Sequence, residues 1–253
     1  MVLKVRIIPS ILLMNGIAVK SKQFSNYRPV GSYINAVRVY NSRDVDELVF
    51  LDIQATHEKR SIPSYVVREI ADECRMPLTI GGGISSISQM KKLFGASADK
   101  ISINTAALKN PEIITEAAEH FGSANIIVSI DVRKVGQEYH VFSQGGTHDT
   151  GIDVVTWATK ICNLGAGEIF LTSMDRDGMM GGFDIELIKT VVTNVSVPVI
   201  ASGGAGKPEH FVDAVLKGGA HALSAASIFH FTQYTPHEIK ATMAKEGIPV
   251  RLQ

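Results

Sequence analysis

Two glycine clusters, Gly81-Gly82-Gly83 and Gly203-Gly204, are the residues whose type and spacing most directly imply chemistry. Glycine lets the backbone turn tightly and leaves N–H groups open to a ligand, which suits such turns to holding anions. A small-polar segment follows each cluster, Ser102-Ile-Asn-Thr-Ala-Ala107 in one case and Ser224-Ala-Ala-Ser-Ile-Phe229 in the other. The candidate donors are Gly83, Asn104 and Thr105 on one side and Gly203, Gly204 and Ser227 on the other. The glycines could instead only relieve tight turns, but their recurrence at matching phase argues for one kind of anion site made twice. Free phosphate, or a small molecule phosphorylated at both ends, would suit such a pair.

These turns need elements to hold them. Short apolar runs at 5–12, 47–53, 77–81, 99–103, 126–131, 168–173, 198–202 and 220–225 alternate with longer amphipathic runs. That pattern predicts eight parallel strands connected through helices, with the glycine clusters after the third and seventh. At 253 residues, eight such units predict one closed (βα)8 TIM barrel over 1–253 rather than two domains. An open doubly wound sheet is the rival, but no GxGxxG follows the first strand.

The chain also repeats itself near its midpoint. Leu48-Val-Phe-Leu-Asp52 echoes Glu168-Ile-Phe-Leu-Thr172 at an offset of 120, and Pro77 to Ile84 echoes Pro198 to Ala205 at 121. The serine-led segments match at 122, and Ile7-Ile-Pro-Ser-Ile-Leu12 matches Ile126-Ile-Val-Ser-Ile-Asp131 at 119. Two half-barrels of four units are implied.

Composition narrows the partners. The formal net charge is zero and no basic stripe occurs, which argues against nucleic acid. The stretch from Met1 to Arg6 lacks the apolar core of a signal peptide, and no apolar run approaches a membrane span, so a cytoplasmic protein is expected. Cys74 and Cys162 lie far apart on segments that read as helices, without metal-ligand spacing, and are expected to be reduced structural thiols. No metal and no cofactor is expected.

Asp46 to Ile53, Asp99 to Ala107, Gly165 to Gly178, Ile200 to Gly206 and Ala225 to His230 closely resemble the cyclase subunit family of imidazole glycerol phosphate synthase, over nearly the whole chain. The resemblance implies a glutaminase partner that docks at the N-terminal end of the barrel and releases ammonia into its axis. It carries the family's charged ammonia gate onto Arg6, Glu47, Lys100 and Glu168, and the glutaminase docking position onto Asp99. Four such charges could also merely close the barrel floor.

At the opposite end the family uses one aspartate at the end of strand one and another at the end of strand five as acid and base. The resemblance assigns the second role to Asp131, for which a buried, hydrogen-bonded strand-end carboxylate is the alternative. The first position holds Leu12, which can neither take nor give a proton. Asp177 is expected to serve a catalytic turn or to cap a loop. The segments Leu12 to Gly16 and Arg28 to Tyr33 also depart from the family pattern.

A paralogous group tied to surface-polysaccharide (lipopolysaccharide) gene clusters shows a first strand similar to Ile8-Pro-Ser-Ile-Leu-Leu13. That similarity implies a barrel passing ammonia to an ATP-dependent sugar amidotransferase. The alternative is the cyclase, a lyase of histidine biosynthesis, in which another acid replaces the strand-one aspartate. An isomerase of phosphoribosyl formimino substrates would share the repeat but would not need the gate.

Overall fold

The computed structural model describes residues 3–43 and 45–252; Met1 and Val2, at the start of the N-terminal stretch discussed above, lie outside them. Its strands are β1 Arg6–Met14, β2 Ile17–Lys22, β3 Ser25–Gly31, β4 Leu48–Asp52, β5 Leu78–Gly81, β6 Lys100–Ile103, β7 Ile126–Val135, β8 Glu138–Ser143, β9 His148–Asp153, β10 Glu168–Ser173, β11 Val199–Ser202 and β12 Ala222–Ala225. Eight of them, in the order β1-β4-β5-β6-β7-β10-β11-β12, are parallel neighbours, and β12 pairs back onto β1 to close a (βα)8 barrel. All eight sequence-derived strands are present. Their apolar runs are continuous because each strand is covered on both faces: every residue of β10 is buried.

Helices fill the connections, and several begin where the sequence supplies a cap. The Ser32 side chain caps α1 (Tyr33–Asn41), Ser86 caps α3 (Ile87–Phe94), and Asp153 caps α6 (Val154–Asn163). Each accepts a hydrogen bond from a backbone N–H of the first turn, worth about 1 kcal/mol. Between them lie α2 (Ser64–Glu73), α4 (Thr105–Lys109) and α5 (Glu112–Phe121). Then follow α7 (Ile185–Val192), capped by Asp184, α8 (Pro208–Leu216), α9 (Ser227–Phe231) and α10 (Pro236–Lys245), which starts with a Thr235/Glu238 capping box. Cys162 lies in α6 as expected, whereas Cys74 is the residue that ends α2 rather than part of the helix.

The structure adds what the sequence reading lacked. β1 and β7 run past the expected ends at 12 and 131 because each continues into an antiparallel hairpin above the rim, β2–β3 after the first strand and β8–β9 after the fifth. The repeat thus includes these two flaps. The large core lies between strands and helices, while Ile8, Val49, Ile127, Phe170, Ile200 and Ala222 pack separately inside the barrel.

Inward-facing side chains of such a barrel stack in layers drawn from alternate strands. The strand registers put Ile8, Thr79, Ile127 and Ile200 in the layer above the N-terminal end. Val49, Ser102, Phe170 and Ser224 follow, then Ser10, Gly81, Ser129 and Ser202. Leu12 and Asp131 come at the mouth. Registers of the two halves correspond: Leu12 faces Leu51 on β4 and Val19 on β2, as Asp131 faces Thr172 on β10 and Phe142 on β8.

Candidate functional site

The N-terminal end of the barrel is closed by a ring of four charged side chains. Arg6 donates to Glu47 Oε1 at 2.6 Å and to Glu168 Oε2 at 2.6 Å. Lys100 Nζ lies 2.7 Å from Glu168 Oε1 and 3.1 Å from Glu47 Oε2, so each cation bridges both carboxylates. Burial alone would push the Glu168 carboxyl up, but hydrogen bonds and charges from Arg6 and Lys100 outweigh it and hold it below the usual carboxylate value. The four residues read from the sequence as a gate are therefore in mutual contact. Asp99, exposed beside the ring, accepts a hydrogen bond from the Leu78 N–H at 2.8 Å.

At the other end lies a cavity of about 510 Å³. Asp131 stands in its wall, its Oδ2 accepting a hydrogen bond from Asn104 Nδ2 at 2.8 Å. Burial pushes the Asp131 carboxyl up; the Asn104 hydrogen bond opposes this, the nearby Asp177 charge adds to it, and the group comes to about 7. Among the described residues no cation pairs with it. Leu12 also lines the cavity, beside Met14, Leu51 and Ile53, so the strand-one position that corresponds to Asp131 is apolar, while Asp52, His57 and Glu58 of the same half line the cavity beyond it.

The hairpins roof this cavity. Lys20 and Ser21 of β2 both bind Asp177, Lys20 Nζ to Oδ1 at 2.6 Å and Ser21 Oγ to Oδ2 at 2.7 Å, and all three are buried. The Gln23 N–H donates to the Asp177 carbonyl, and Phe24 lies so close to Gly146 that a Cβ there would come within 2.6 Å of its ring. Asp177, expected to serve a turn or cap a loop, is the anchor that ties the first flap to the loop after β10.

The two anion turns differ in their surroundings. Gly83, at φ +63°, has no room for a Cβ, which would lie 1.9 Å from the Arg60 carbonyl; Gly204, at φ +104°, would place one 2.1 Å from the Gly182 carbonyl. Gly83, Asn104 and Thr105 line the large cavity. One N–H of the Asn104 side-chain amide is given to Asp131, and Thr105 Oγ1 accepts from the Gln144 N–H. Gly203, Gly204 and Ser227 meet around a hollow of only about 20 Å³, bounded also by Lys20 and Asp177. Ser227 Oγ is buried there without a partner.

Sequence reasoning missed the roof. Lys20, Ser21, Phe24, Tyr27, His57 and Thr147 all line the cavity. Gly136 and the Gly145-Gly146 doublet were legible signs of the second flap, since all three turn with positive φ. Among the described residues no group of three or more His, Cys, Asp or Glu side chains is arranged to hold a metal ion, and no helix is long and apolar enough to cross a membrane.

Comparison with known proteins agrees with this geometry. Residues 6–235 match the family described as histidine biosynthesis protein. The chain is 49% identical over 247 residues to the imidazole glycerol phosphate synthase subunit HisF of Pyrococcus furiosus, covering 98% of each chain. It is 48% identical over 252 residues to the protein of that name from Caulobacter vibrioides, covering 99% of this chain and 97% of the relative. A full-length match, on a closed barrel with twofold strand registers, places the chain in the HisF family of (βα)8-barrel subunits.

Proposed function

We propose that this barrel conducts ammonia from a glutaminase to a separate acceptor enzyme, an ATP-dependent sugar amidotransferase of surface-polysaccharide synthesis. One observation carries the reading: Leu12 occupies the register position that corresponds to Asp131, while the charged ring at the other end is complete. A lone acid/base group gives up one of two proton transfers, each contributing typically 10²–10⁴-fold in rate. A barrel that no longer took in ammonia would have no use for two cations and two carboxylates at its axis, where apolar side chains can be more stable. In this reading the glutaminase docks around exposed Asp99, and the system operates in the cytoplasm. The sugar acceptor rests on the first-strand similarity of Ile8 to Leu13. The glycine turns hold phosphate or a phosphorylated small molecule.

A second reading is favoured by the relatives, which carry the name imidazole glycerol phosphate synthase along their full length. In that case the chain is a histidine-biosynthesis cyclase in which Asp131, near neutrality in its proton affinity, works with another acid that replaces the strand-one aspartate.

Reconstitution separates the two. The barrel, its glutaminase and the sugar amidotransferase are combined with glutamine and ATP. Glutamine-driven amidination is expected to fall in Lys100→Ala and Glu168→Ala, while amidination fed by added ammonium survives. Equal amidination from glutamine with the barrel omitted would remove the conduit role.

A further inference from the structure

Most of the ionisable side chains that line the mouth cavity are already committed. Lys20 and Asp177 hold each other, Asp52 accepts from Arg60 and from the N–H groups of Gln54 and Ala55, and Glu58 accepts from Arg60 Nε at 2.6 Å. The Tyr27 hydroxyl donates to the Phe24 carbonyl at 3.1 Å. Two remain: Asp131, held by Asn104, and His57, which among the described residues has no hydrogen-bond or ion-pair partner.

Local contacts bring these two to the same part of the mouth. His57 belongs to the segment between β4 and α2, which wraps the first anion turn so tightly that a Cβ on Gly83 would lie 3.0 Å from Ala55. Its ring lies against the second flap, where a Cβ on Gly145 would come 3.1 Å from His57 Nε2. The neighbouring Gln144 N–H donates to Thr105 Oγ1 at 3.0 Å, and Asn104, adjacent in the chain, holds Asp131. A short series of contacts thus runs from His57 through the flap turn to the carboxyl. Leu12 has no proton to exchange, whereas an imidazole both takes and gives one near neutral pH.

We propose that His57 is the second proton-transfer group of the mouth, working with Asp131 in place of a strand-one aspartate. The inference rests on the cyclase reading above and names the residue that reading requires. As ammonia forms a bond to the ketone carbon of the ribulosyl substrate, its nitrogen carries one proton too many and the carbonyl oxygen needs one. His57 takes the first and Asp131 gives the second, leaving a neutral carbinolamine beside an imidazolium and a carboxylate. When the carbon–oxygen bond then breaks, His57 returns its proton to the departing oxygen and Asp131 takes one from nitrogen. The products are an imine and water, and both groups are restored.

The test measures cyclase turnover of the purified barrel with saturating ammonium and the bisphosphorylated ribulosyl substrate, without glutaminase, for wild type, His57→Gln and His57→Ala. His57→Gln is expected to lower kcat about 10²-fold, the lower end of what one proton-transfer group contributes, with KM changed less than about twofold. Added imidazole is expected to restore part of the kcat of His57→Ala, since the ring it replaces is exposed at the mouth. If wild type turns over and His57→Gln keeps its kcat, the cyclase reading stands and the role of His57 is wrong. A loss in His57→Ala that imidazole leaves unrepaired makes the ring a support for the flap and overturns the proposal. If wild type shows no turnover above the uncatalysed rate, the cyclase reading fails and the role of His57 with it.

Discussion

The two halves of this barrel share a backbone plan and differ in what they present at the mouth. Leu12 and Asp131 sit at corresponding registers, each on a strand that continues into a hairpin, yet one is an apolar side chain and the other a carboxylate near pH 7 in its affinity. Elsewhere the halves agree: Glu47 and Glu168 share the ring, Ser10 and Ser129 share the interior, and Gly83 and Gly204 make the same close turn. Duplication therefore explains the frame, and a single position explains much of the chemical asymmetry. Fold and reaction are separable in this architecture, because the side chains at the strand ends bear little of the packing.

The sharpest challenge to the equivalence is to damage both halves alike. Gly83→Ala and Gly204→Ala each force a Cβ into a carbonyl oxygen at a left-handed φ, and each is expected to cost about 3 kcal/mol. For a chain of this size that is a fall of roughly 6–12 °C in melting temperature by calorimetry. A loss confined to one half would break the comparison.

Next come the ring carboxylates. Removing either Glu47 or Glu168 by substitution with Ala leaves Arg6 and Lys100 sharing one carboxylate, and about 2 kcal/mol of stability should go in each case, less than for a fully buried pair because Arg6 is partly open to solvent. Denaturant titration of the two variants checks whether the ring is as symmetric in energy as in geometry.

An effect of similar size, confined to higher pH, belongs to the unmatched position. Because the Asp131 carboxyl is raised in the folded protein, its contribution to stability is fully present below its unfolded value of 3.8 and is lost as pH rises from there through about 7. Asp131→Asn removes that loss. The variant should match wild type near pH 4 and exceed it by about 2 kcal/mol above pH 8, a figure discounted for water in the cavity. Equal stability of the two across this range would show that the carboxylate is well solvated.

Much of the frame was legible beforehand because burial on two faces writes a continuous apolar run, and all eight barrel strands could be read that way. The ring was legible through resemblance, since Glu47, Lys100 and Glu168 lie in the segments that carry it and Arg6 just precedes the first repeated strand segment. The flaps were not. Ser25 to Gly31 is mostly exposed, with neither an apolar run nor clean alternation to mark a strand. Asp177 was noticed, but its partners Lys20 and Ser21 come from a segment more than 150 residues away, which local pattern cannot pair. The same two residues, Lys20 and Asp177, also border the second anion turn, which local pattern likewise cannot show.

The central claim, that Leu12 leaves the end of the first strand without a proton-transfer group, is tested most directly by cyclase turnover with ammonium and the bisphosphorylated ribulosyl substrate, with no glutaminase present. Wild type is expected to run at least about 10²-fold below a relative that bears both aspartates, with Leu12→Asp recovering part of the difference. Turnover within tenfold of that relative, unchanged or lowered by Leu12→Asp, would contradict the claim.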